Sequence, residues 1–161
     1  MSSIKHKFLF IGVLIFCILA LFIAYFIEYV LGHQPCNLCL IERVPYFATT
    51  ILASIFFILR KYEKIILIVI GFFFIFGTII SFYHLGIEQD FFKESLVCDL
   101  NNGSKVLSTQ DLLRQLETKT VSCKEITFKI LGLSLATFNT IISLIISAIM
   151  LRTGFNYEKN K

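Results

Sequence analysis

An all-α membrane protein, built as a four-transmembrane-helix bundle with two loops on its outer side, is the fold this sequence predicts, on three observations. The 161 residues are 57% hydrophobic and 16% charged, with a mean hydropathy of +0.80, too apolar for a domain dissolved in water. Four apolar stretches approach or exceed the length of a bilayer-crossing helix. Lysine and arginine concentrate on one side of those stretches, while four of the five cysteines fall in the two connections on the other. The chain therefore reads as a single integral-membrane domain over residues 1–161.

Phe8 to Ile27 carries no charge, and at about 1.5 Å per residue it crosses a hydrocarbon core of about 30 Å, so the first span is expected over residues 8–31. Lys5-His6-Lys7 resembles the start of a signal peptide. The apolar run is too long for one, however, and Tyr25, Phe26 and Glu28 do not make a small-residue cleavage site. The second span, residues 44–59, is short for a full crossing and is expected to recruit part of the preceding turn, bringing Cys39 near the membrane surface. The third, residues 65–85, follows the charged turn Arg60-Lys61-Tyr62-Glu63-Lys64, and the fourth, residues 130–151, ends before Arg152.

Four crossings return both termini to one side. That side carries Lys5 and Lys7, then Arg60, Lys61 and Lys64, then Arg152, Lys159 and Lys161, so the positive-inside rule makes it cytoplasmic. The outer loops are then residues 32–43, with Arg43 as their strong base, and residues 86–129, where both charge signs mix. The net charge of +4 is modest and scattered, which argues against a nucleic-acid partner.

The chemistry is expected in Pro35-Cys36-Asn37-Leu38-Cys39, where two thiols three residues apart can close a small disulfide ring and exchange it. A helix running from Asn37 would set Arg43 four residues after Cys39 on one face, where its charge favours a thiolate. Pro45 opposes that continuity and points to a helix starting near Val44. Structural zinc is disfavoured because no second close pair of ligands follows, and His6, His33 and His84 show no ligand spacing. A purely structural disulfide is disfavoured because so tight a ring cross-links almost no chain. Cys17, mid-span, reads as a small inert hydrophobe. Cys36, Cys39, Cys98 and Cys123 allow three connectivities, of which spacing favours Cys36 with Cys39 and Cys98 with Cys123. In the second loop, residues 99–104 read as a turn. Ser108 or Thr109 can cap a short helix through Leu116, with Leu112, Leu113 and Leu116 on the face it lays on the membrane or packs on its own loop.

The strings PCNLCLIERVPYF (35–47), YHLGIEQ (83–89) and GLSLATFN (132–139), with the order of spans and cysteine loops, resemble the bacterial disulfide bond formation protein B family, DsbB, over nearly the whole chain. Lys124 to Phe128 departs from it, lacking the acidic residue after the cysteine and the tryptophan that many members carry; Phe128 takes the aromatic place. The resemblance implies a bacterial inner-membrane thiol:quinone oxidoreductase. A reduced periplasmic DsbA-like thioredoxin-fold protein attacks the second-loop disulfide and leaves oxidised, and the electrons pass through the first-loop pair to a membrane quinone, ubiquinone or menaquinone. By position Cys98 forms the mixed disulfide with the partner, Cys123 exchanges with Cys36, Cys39 faces the quinone, and Arg43 matches the quinone-proximal arginine. Such a partner is a strong oxidant, at about −120 mV, so its reoxidation needs an acceptor poised higher, and about 30 mV is worth about 1.4 kcal/mol for two electrons. The sequence shows no haem, flavin or iron–sulfur motif to take those electrons.

Other polar residues have plainer expectations: His84 as an interfacial histidine with one hydrogen bond in preference to a group that assists proton transfer, Glu28 and Glu42 as interfacial carboxylates with Glu42 able to pair with Arg43, and Asn139 bonding a neighbouring helix. The competing function is a membrane binding or regulatory protein whose disulfides only hold its loops. A vitamin K epoxide reductase-like enzyme fits less well, because there the close cysteine pair sits near the last spans.

Overall fold

The computed structural model describes residues 2–93, 98, 123, 129–130 and 133–157. The expected turn at 99–104, the helix at 108–116 and the Phe128 substitution lie outside the described residues. Helix α1 covers Ser2–Tyr29, α2 Asn37–Ile41, α3 Val44–Ile58, and, after a 3-10 turn at Arg60–Tyr62, α4 covers Glu63–Glu88. Strands β1 (Lys129–Ile130) and β2 (Leu133–Ser134) form a two-residue antiparallel ladder leading into α5, Leu135–Phe155. Four helical segments, counting α2 with α3 as one, are long and apolar enough to cross a membrane. The protein is a multi-pass membrane protein.

Local chemistry explains the boundaries. The chain leaves α1 through Gly32 in the left-handed region, at φ +73°, where a glycine carries no Cβ penalty. Pro45 sits in the first turn of α3, where its missing N–H has no intrahelical partner to lose. This breaks the second span after Ile41 instead of letting one helix run through Glu42 and Arg43. Ser134 caps α5, its Oγ accepting from the Thr137 N–H at 3.3 Å, so α5 starts at Leu135 and not at Ile130.

Helix α1 packs on α3, α3 on α4, and α4 on α5, so α1 and α5 stand at the two ends of this series. The α4–α5 contact is the most extensive, and small residues let the backbones approach there. A Cβ on Gly154 would meet Ile68 Cγ1 at 2.8 Å, and one on Gly71 would meet Leu151 Cδ2 at 2.6 Å. We expect Gly154→Val to cost about 1–3 kcal/mol by overpacking, read as a lower thermal midpoint in detergent. Gly12→Val, where a Cβ meets nothing within 4 Å, should leave it unchanged. The core is apolar, with Phe10 stacked on Phe56, and Cys17, Leu67, Ile70 and Phe74 buried around them. Phe8, Ile15, Phe22, Phe72, Ile79 and Leu144 project outward, as lipid-facing residues must.

One end of the bundle is tied by His6, whose Nδ1 lies 2.7 Å from Glu63 Oε1, and by Tyr157, whose hydroxyl donates to Glu63 Oε2 at 3.2 Å. The start of α1, the start of α4 and the end of α5 therefore meet there. The opposite end carries α2, the end of α4 and the start of α5.

Candidate redox site

That opposite end gathers both cysteine pairs. Cys36 stands in extended conformation as the cap of α2, and its Sγ accepts the Cys39 N–H at 3.1 Å. Cys36 is disulfide-bonded to Cys39, with Cα atoms 5.1 Å apart, and Cys98 to Cys123, with Cα atoms 5.8 Å apart. This is the pairing that spacing favoured. Cys36, Cys98 and Cys123 share one buried cluster with Leu38 and Ile87, flanked by Cys39, Ile41, Ile80 and Tyr83. Cys17 lies apart from them in the apolar core and is the cysteine outside a disulfide among the described residues.

His84, from the last turns of α4, lies against the first pair. Its Nε2 lies 3.6 Å from Cys36 Sγ, and its Nδ1 lies 2.8 Å from Glu42 Oε1. Glu42 is buried and accepts from Asn139 Nδ2 at 2.8 Å through its second oxygen. Asn139 Nδ2 also reaches Ser81 Oγ at 2.5 Å, while Asn139 Oδ1 accepts from the hydroxyls of Tyr46 and Ser143. A continuous polar chain thus runs from the first-loop sulfurs into the bundle, linking the α2–α3 junction with α3, α4 and α5. With Nδ1–H donated to the Glu42 carboxylate, the ring turns its Nε2 lone pair toward Cys36 Sγ.

Two expectations need correction. His84 is a buried bridge with several partners, not an interfacial residue with one, because the end of α4 is covered by the cysteine cluster. Glu42 does not pair with Arg43. At the helix break the two diverge, and Arg43 Nη1 donates to Glu28 Oε2 at 2.6 Å while its guanidinium lies 4.9 Å from the centre of the Tyr25 ring. The break that Pro45 pointed to, with α3 starting at Val44, removes the single helical face that an unbroken helix from Asn37 would have given Cys39 and Arg43. Asn139 does bond neighbouring helices, as expected.

Cys39 and Arg43 meet again in the wall of a cavity of about 460 Å³. Cys36, Glu42, Tyr46, His84, Glu88 and Asn139 are among its polar residues, and apolar residues of α1 and α5 form most of the rest. Leu19, Ile23 and Leu135 belong both to this wall and to the exposed apolar surface, so the cavity reaches the lipid-facing side between α1 and α5. Nothing in the spacing revealed the Glu42–His84–Cys36 chain, whose members are separated by 42 and 48 residues.

The profile of the disulfide bond formation protein DsbB family matches residues 6–153. The chain belongs to the DsbB family. It is accordingly a membrane oxidoreductase of disulfide bond formation, and the two disulfides brought together at one end of a DsbB-family bundle fit that chemistry. A further relative, the uncharacterized protein RP370 of Rickettsia prowazekii (strain Madrid E), is 29% identical over 142 residues, covering 87% of this chain and 83% of its own length.

Proposed function

We propose that this DsbB-family protein reoxidises a periplasmic DsbA-like thiol oxidase and passes the electron pair to a membrane quinone. The gathering of Cys36, Cys98 and Cys123 in one buried cluster, with His84 against Cys36, carries this reading, since it brings the two disulfides close enough for exchange. The partner's thiolate attacks Cys98, forming a mixed disulfide and releasing Cys123 as thiolate. Cys123 then attacks Cys36, breaking the bond to Cys39. The partner's second thiol displaces Cys98 and leaves oxidised, and Cys98 attacks Cys123 to restore the second-loop disulfide, leaving Cys36 and Cys39 reduced. Through these steps Nε2 of His84 holds the proton that Cys36 gains or gives up, and Glu42 keeps the ring turned toward the sulfur.

The cavity suits a quinone ring: it is largely apolar, reaches the lipid side, and presents a guanidinium and a cysteine sulfur. Arg43, Cys39 and the apolar flanks of α1 and α5 would hold it, and when bound it accepts the two electrons of the dithiol. Glu28 and Tyr25 position Arg43 from α1. The basic residues at the other end, Lys7, Lys61 and Lys64 among them, support a cytoplasmic location for that end by the positive-inside rule and a periplasmic one for the cysteines. An impermeant maleimide applied to reduced intact cells should label the cysteine loops, and exclusive labelling after lysis would overturn the orientation.

Arg43→Ala should raise KM for quinone about 10–100-fold, the worth of a charge-assisted hydrogen bond, while a single stoichiometric oxidation of the partner persists. Arg43→Lys should fall between, since lysine keeps the charge without the planar fork. Steady-state and single-turnover assays in detergent separate these effects.

A further inference from the structure

The sulfurs of Cys36 and Cys39 and a ring nitrogen of His84 all lie within 4.8 Å of one another. Two sulfur ligands and an imidazole make a donor set that selects soft or borderline cations and discriminates against Mg²⁺ and Ca²⁺, which take oxygen. The ligand that sequence spacing lacked is delivered by the end of α4.

We propose that the reduced Cys36–Cys39 pair and His84 form a binding site for a thiophilic divalent cation such as Zn²⁺, which holds the pair as dithiolate and withdraws it from exchange. This rests on the reading of that pair as reducible. In a tetrahedral zinc site, Zn–S of about 2.3 Å and Zn–N of about 2.0 Å put the S and N ligands about 3.6 Å apart. Cys36 Sγ and His84 Nε2 already stand 3.6 Å apart. Two thiolates across such a centre stand about 3.8 Å apart, a separation that the 5.1 Å Cα spacing permits once the S–S bond is broken.

The surroundings favour the same assignment. Glu42 accepts from His84 Nδ1–H at 2.8 Å, the carboxylate–histidine arrangement that fixes the tautomer and aims Nε2 at a metal. Two thiolates, a neutral imidazole and a divalent cation sum to zero charge, which suits a buried site beside lipid. The remaining coordination position faces the cavity, with Glu88 Oε1 3.8 Å from His84 Nε2. The balance is simple: a dithiol or phosphine reductant supplies two electrons, the sulfurs take up two protons, and the cation displaces those two protons without changing its own oxidation state.

The test uses full-length Cys98→Ser/Cys123→Ser protein in detergent, reduced with a phosphine, desalted anaerobically and titrated with Zn²⁺ against a chromophoric chelator, with free thiols counted in parallel. We expect one Zn²⁺ per chain in the reduced form and none in the oxidised form. Affinity should fall about 10–100-fold in Glu42→Gln and further in His84→Ala, while His84→Cys, which restores a ligand, binds again. Co²⁺ in place of Zn²⁺ should show the visible bands of a tetrahedral sulfur-containing site. Two free thiols with zinc affinity unchanged by His84→Ala would overturn the metal site alone. A pair that no reductant opens would overturn both this inference and the redox reading beneath it.

Discussion

Cys39→Ser is expected to abolish steady-state oxidation of a reduced thioredoxin-fold partner and all quinone reduction. Without Cys39 the first-loop pair cannot form a disulfide, so Cys123 has no oxidised acceptor at Cys36 and the electron pair has no route to the cavity wall. The Cys98–Cys123 disulfide remains, so one partner molecule per chain should still be oxidised before the reaction stops. A rapid-mixing experiment reads both phases, a burst of at most one equivalent and then nothing. Cys17→Ala should turn over like the parent, because that thiol lies in the apolar core of α1, away from both pairs. Sustained turnover in Cys39→Ser would refute the relay.

Asn139→Ala is expected to lower stability by about 2–5 kcal/mol, the largest loss from a polar substitution. The amide serves Glu42, Ser81, Tyr46 and Ser143, four groups on three other segments and its own helix, and truncation leaves them without that partner in a low-dielectric interior. Interhelical hydrogen bonds in membranes average about 0.6 kcal/mol and reach about 1.7 kcal/mol, so several lost together give that range. Thermal unfolding in detergent checks it, with Thr140→Ala as comparison. Among the described residues Thr140 bonds back to the Ala136 carbonyl of its own helix, so its loss should cost little. Because Glu42 orients His84, Asn139→Ala should also slow thiol exchange beyond what its stability loss explains.

The fold class was legible because membrane spans are written in one dimension: a long apolar run must satisfy its own backbone as a helix, whatever its neighbours. Helix starts were partly legible. Pro45 announced α3, but the late start of α5 depended on the Ser134 cap after a two-residue ladder, a signal too short to weigh beside the apolar run around it. The cysteine pairing was legible as a preference from spacing. The environment of the cysteines was not, because His84 carries no periodicity that points to residue 36 or 42.

By itself, then, the sequence determined four apolar crossings, a basic side opposite a cysteine side, and a C-x-x-C motif in a DsbB-like frame, all carried by composition and local spacing. Only the tertiary structure decided that Glu42 turns inward to His84 while its neighbour Arg43 turns to Glu28, and that both thiol pairs gather in one buried cluster with an imidazole against Cys36. The physical reason is that a buried polar side chain takes whichever partner helix packing brings within about 3 Å, and partners from separate helices meet without leaving any mark in their spacing along the chain.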